Sequence, residues 1–194
     1  MKTTLFLFIT LLFSNLTYAS DSEGRFAIRN AGMNTCQNFI ETKQRSPEKM
    51  GLYFGWIDGY ISAANQYTEK TYDLIPWGNT LFLATLIENH CKNNPKERFY
   101  VAVNKLASAM IQDRLTEQSE LIKTSYKGKK SYIYKRVLKD LQTKLGTLGF
   151  YKAKADGSYG PSTREALINY QKQNGLAQSG LPDQLTIYKI LRSK

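Results

Sequence analysis

Residues 137–191 read VLKDLQTKLGTLGFYKAKADGSYGPSTREALINYQKQNGLAQSGLPDQLTIYKIL. Leu138, Leu141, Leu145 and Leu148 recur at helical spacing and give one apolar face. Gly149 follows as a helix stop, where the left-handed backbone disfavours a Cβ. Asp156-Gly157 is a tight-turn signal. Pro161 suits the first turn of a second helix, because its missing N–H has no partner there in any case. Ser162 and Glu165 have capping-box spacing, and Gly160 is a rival N-cap. Ala166, Leu167 and Tyr170 form the second apolar stripe, which Gly175 ends. Asp183 can cap a third helix carrying Leu185, Ile187, Ile190 and Leu191. Three short amphipathic helices can bury one small core.

In order and spacing these positions resemble the three-helix peptidoglycan-binding domain found on many cell-wall enzymes. The resemblance implies an all-α domain at 135–194 and cell-wall peptidoglycan as its ligand. The loop entering the second helix is the expected contact surface. Asp156, Tyr159, Thr163 and Arg164 would bring hydrogen-bonding groups, a ring and a positive charge to a sugar or a peptide carboxylate. The alternative is that Asp156, Gly157, Gly160 and Thr163 simply build the loop.

The chain opens with Met1-Lys2, an apolar run from Leu5 to Phe13, and Thr17-Tyr18-Ala19 before Ser20. That pattern predicts a signal peptide over 1–19 and export; the resemblance to the peptidoglycan-binding domain implies a bacterium, and so the periplasm as the compartment. The run is too short to span a bilayer of about 30 Å, and no later stretch is apolar enough. Cys36 and Cys91 are the only cysteines. An even count in an exported chain favours a disulfide, with two buried free thiols as the alternative.

Charge separates the halves. From Ser20 to Ser125 there are 12 basic and 12 acidic residues; from Tyr126 to Lys194 there are 14 and 4, a balance of +10. The basic half fits an anionic surface, and export argues against nucleic acid.

Residues 30–122 read as successive helices. Thr35 to Gln44 is the first. Ser46-Pro47 opens a second, on which Tyr53, Trp56, Ile57, Tyr60, Ile61, Ala64 and Tyr67 make an amphipathic stripe. Gly55 and Gly59 beside that stripe predict close approach by another helix, or by a ligand. A third helix is expected from Thr80 to Asn93, and a fourth opening at Asn94-Pro95 and continuing towards Ile122. The Phe54–Tyr60 segment, the Cys91-x-x-x-Pro95 junction and the two cysteines resemble periplasmic acid-stress chaperones and type VI amidase-immunity proteins. Trp77-Gly78 stands where those families often carry a further Cys-Pro. Residues 123–134, with Lys127-Gly128-Lys129-Lys130, read as a basic linker. No internal repeat is evident.

The expected fold class is therefore all-α: a helical domain stapled by Cys36 and Cys91, then a three-helix domain. One histidine, His90, directly precedes Cys91, so neither a zinc site nor a Cys–His pair is expected, and no cofactor. The reading is a non-catalytic periplasmic protein that holds peptidoglycan and offers its first domain to a protein partner. A muramidase-like hydrolase using carboxylates such as Glu69, Asp73 and Glu88 is one alternative. An immunity or inhibitor protein is another.

Overall fold

The structure, a computed structural model, describes residues 20–193. The expected signal peptide at 1–19 lies outside them. The fold is mostly helical: α1 (Cys36–Arg45), α2 (Met50–Tyr67), α3 (Thr80–Asn93), α4 (Phe99–Met110), α5 (Lys135–Thr147), α6 (Pro161–Gln173) and α7 (Gln184–Arg192). One antiparallel pair, β1 (Leu121–Tyr126) and β2 (Lys129–Tyr134), stands between α4 and α5.

Thr35 starts α1 with a capping box shared with Asn38. The Cys36–Cys91 disulfide ties α1 to α3, with Cα atoms 4.9 Å apart. Both sulfurs are fully buried, beside a cluster in which the Phe39, Tyr53 and Phe99 rings meet at 4.9–5.1 Å. The fourth helix begins at Phe99 rather than at Asn94-Pro95. The Pro95 and Glu97 carbonyls accept from the N–H groups of Gln37 and Cys36 at 2.9 and 2.8 Å. The junction thus satisfies two orphan donors of α1 and cannot also be helix.

Nor does α4 continue to Ile122. It gives way to a 3-10 turn at Ile111–Asp113. Leu115, 4% exposed, then pairs with Asp73 through backbone bonds of 2.8 and 3.3 Å. Burying Leu115 competes with extending the helix and wins. No other helix approaches Gly55 or Gly59, because a Cβ at either would meet nothing within 4 Å. The close approach lies elsewhere: a Cβ on Gly32 would fall 2.4 Å from the Trp56 ring.

Residues 123–134 are a hairpin rather than a plain linker. Lys127 and Gly128 form a two-residue turn with φ of +47° and +75°, which suits the twist of paired strands. Ile122, Thr124, Tyr126, Ser131 and Ile133 share one face, and Thr124 and Ile133 are buried.

In the last three helices Gly149 takes φ +82° and Gly175 φ +64° as helix stops. Gly160 is the N-cap of α6, and Ser162 with Glu165 makes no capping box. Asp183 caps α7 by accepting from Thr186 N at 3.0 Å. The halves meet through Trp77 and Phe82 against Tyr188, and through Arg192 on Asp113.

Candidate functional site

Two fully buried glutamines organise the loops of the carboxy-terminal bundle. Gln142, on α5, accepts from Gly157 N at 2.7 Å. Its amide nitrogen donates to Ser158 O and Thr163 Oγ1, both at 2.9 Å, and reaches Asp156 Oδ1 at 3.3 Å. Gln171, on α6, accepts from Gly180 N at 2.9 Å. Its nitrogen faces Ser179 Oγ, Leu181 O, Asp183 Oδ2 and Thr186 Oγ1 at 3.0–3.2 Å. Both glycines take positive φ, +76° and +66°. Each brace therefore runs from glutamine to a left-handed glycine to a threonine that starts the next helix. This is a short internal repeat that the sequence reading did not find. Its signal was present in Gln142, Gly157 and Thr163 against Gln171, Gly180 and Thr186, but the unequal loops between them hid it.

The four residues expected to touch a ligand are neighbours, and they have different jobs. Thr163 is 2% exposed; its hydroxyl donates to Ser158 O at 3.0 Å and accepts from Gln142. It braces the loop from inside. Asp156 is exposed, but its Oδ1 accepts from Ser158 N at 2.7 Å, which with the Gln142 amide holds its pKa below the ordinary value. Tyr159 donates its hydroxyl to Gly180 O at 2.6 Å and so links the two braced loops. Burial pushes that phenol up, partly offset by the Arg164 charge. Arg164, half-buried, lays its guanidinium over the Tyr126 ring, 4.7 Å from the centroid. Tyr126 belongs to the hairpin and was not expected at this site.

The carboxylates weighed for catalysis sit in different surroundings. Glu88 is held below its usual pKa by Lys43, against some burial, with Lys92 adding a second ion pair. Asp73 is pushed up by burial, partly offset by the Ile75 N–H and the Asn65 side chain. Glu69 is exposed. His90 is hydrogen-bonded to Glu97, which Lys105 also holds. Among the described residues no three His, Cys, Asp or Glu gather as a metal site, and no helix is long and apolar enough to cross a membrane.

Comparison with known proteins fits this geometry. Residues 137–190 match the family described as "putative peptidoglycan binding domain". A stretch of 56 residues is 41% identical to part of the N-acetylmuramoyl-L-alanine amidase CwlM of Mycobacterium tuberculosis. The match covers 28% of this chain and only 14% of that protein. No solved structure matches the chain. The braced three-helix bundle that closes the chain is therefore a domain of the peptidoglycan-binding family.

Proposed function

We propose that the chain is a non-catalytic, extracytoplasmic protein that holds peptidoglycan through residues 135–194 and presents its first helical half to a protein partner. The carrying observation is the family match over 137–190, on a bundle whose loops are fixed by two buried glutamines. The likeness to an amidase spans a small fraction of that enzyme, so it supports wall binding without bringing amidase activity. A disulfide beside a wall-binding domain supports a compartment outside the cytoplasm, the periplasm on our reading. Tyr159 and Arg164 are the proposed ligand contacts, and Asp156 and Thr163 shape the loop that carries them.

A partner for the first half is supported by its open apolar surface. Phe26, Trp56, Gly59 and Tyr100 line a shallow groove, and Phe26 and Leu52 are exposed. Large exposed apolar groups in a cluster mark interaction surfaces more often than scattered ones do.

The test is co-sedimentation of the full chain with purified sacculi, with soluble muropeptides as competitor. Binding that muropeptides displace is the expected result. A protein left in the supernatant at low ionic strength overturns the proposal. Release of soluble muropeptides from the sacculi during the same incubation would favour a hydrolase instead.

A further inference from the structure

The hairpin lies outside the matched segment, yet it is built into the same surface. Lys123, Lys127, Lys129 and Lys130 are all exposed, and the hairpin contains no carboxylate. Among the described residues none of these lysines, nor Arg164, forms an ion pair, whereas Lys43, Lys92, Lys105 and Arg192 all do.

These charges sit on a fixed frame. Thr124 is fully buried and Ile133 is 2% exposed, so the hairpin is anchored. At its tip, Tyr126 lies under the Arg164 guanidinium, with the Lys127 ammonium 5.3 Å from the ring centroid. A Cβ on Gly180 would come 3.1 Å from Tyr126, so the ring also rests on the second braced loop. Lys129 is the cross-strand partner of Tyr126 and shares its face. Like charges held close on a rigid frame repel, and the repulsion is relieved by a ligand carrying several anionic groups. The glycan of peptidoglycan is largely neutral, whereas its stem peptides carry carboxylates.

Resting on the wall-binding reading, we infer that the hairpin is an accessory lip of the binding surface. Lys127 and Lys129, with Arg164 set by Tyr126, take stem-peptide carboxylates on one face of the hairpin, and Lys130, paired with Ser125 on the opposite face, takes them from the other side of the lip. The matched domain supplies the scaffold, and the hairpin adds preference for wall material whose carboxylates are free.

The experiment uses the full chain and two sacculus preparations, one native and one whose carboxylates have been converted to neutral amides with carbodiimide and ammonia. The comparison protein carries Lys127→Gln, Lys129→Gln and Lys130→Gln, all exposed positions, with circular dichroism confirming an unchanged fold. At low salt the triple substitution is expected to weaken binding to native sacculi about ten-fold, since three exposed charge contacts of about 0.5 kcal/mol each sum to that factor. Amidation should weaken the wild type similarly and weaken the variant, which keeps Arg164, much less. Salt should weaken the wild type more steeply than the variant.

Equal binding of wild type and variant to native sacculi overturns the inference, as does an equal effect of amidation on both. Phosphatidylglycerol vesicles form a separate arm. If the substitutions abolish vesicle binding and spare sacculus binding, the lip serves a membrane and the inference fails. A wild type that sediments with neither preparation at any ionic strength defeats the underlying wall-binding reading instead.

Discussion

Gln171 donates its side-chain amide towards the Asp183 carboxylate at 3.2 Å while its oxygen accepts from Gly180 N. Every acceptor around that nitrogen is already part of a turn or a cap, so the position requires a donor. Gln171→Glu replaces the donor with a carboxylate facing Asp183. The variant should lose about 3 kcal/mol or more at pH 7, because a buried charge is left unpaired beside a like charge. The introduced carboxyl has a raised folded pKa, so its cost is full above that pKa, fades as pH falls towards the unfolded value and is gone below it. Urea melts at pH 7 and pH 4.5 should show partial recovery in acid. A uniform loss at both values would count against this account.

Gly157 answers two demands at once. Its φ is +76°, and a Cβ would sit 2.6 Å from Lys135 O, a backbone atom at the start of α5. Gly157→Ala should cost about 2–4 kcal/mol, the sum of left-handed strain and a clash that only backbone movement relieves. Gly175→Ala, where φ is +64° but a Cβ meets nothing within 4 Å, should cost about 1–2 kcal/mol. Equal losses for the two would show that the Lys135 contact is unimportant.

Arg192 clamps the last helix to the first half by donating to Asp113 at 2.7 and 3.2 Å. Side-chain exposures of 32% and 11% place the pair at a partly dry seam. Arg192→Ala or Asp113→Ala should lower stability by about 1–2 kcal/mol, with less than additive effects together. Additive losses in a double-mutant cycle would mean that the two side chains act independently.

The disulfide closes a sequence separation of 55, for which chain entropy gives about 4 kcal/mol. Cys36→Ala with Cys91→Ala should lower the unfolding midpoint of the first half sharply. The brace contacts of Gln142 and Gln171 share no atoms with it. Amide exchange at Gly157 and Gly180 should therefore stay slow under conditions where α1 opens, and simultaneous loss of protection in both halves would show a single cooperative unit.

Asp73 carries the opposite acid response from Glu88. Its pKa is raised by burial from an ordinary 3.8, so its charge costs stability above the folded pKa and the cost disappears as pH falls below the unfolded value. Asp73→Asn keeps the oxygen that accepts from Ile75 N at 3.1 Å. The variant should be the more stable at pH 7 and should lose that advantage near pH 3. Glu88, with a lowered pKa, stabilises at neutral pH and stops doing so in acid. Denaturant midpoints for Asp73→Asn and Glu88→Gln across pH 3–7 should therefore move apart in opposite directions relative to the parent.

The sequence by itself determined the local elements whose signals are short-range. The α3 bounds, the Asp183 cap, the Gly149 stop and the Pro161 start follow from capping and backbone sterics within a few residues. The order of motif residues over 137–190 likewise carried the family without any contact being known. Tertiary structure decided what depends on distant partners. Pro95 and Glu97 were claimed by α1, Leu115 by Asp73, and the Lys127-Gly128 turn closed a hairpin that composition alone presented as a basic connector. The candidate site divided in the same way. Asp156, Tyr159, Thr163 and Arg164 were found together, but only burial separated the internal brace Thr163 from Arg164, and only packing brought Tyr126 beneath that guanidinium. A capping or turn preference is fixed by atoms next to one another in the chain, whereas burial and cation–ring contact are fixed by which remote segments fold together.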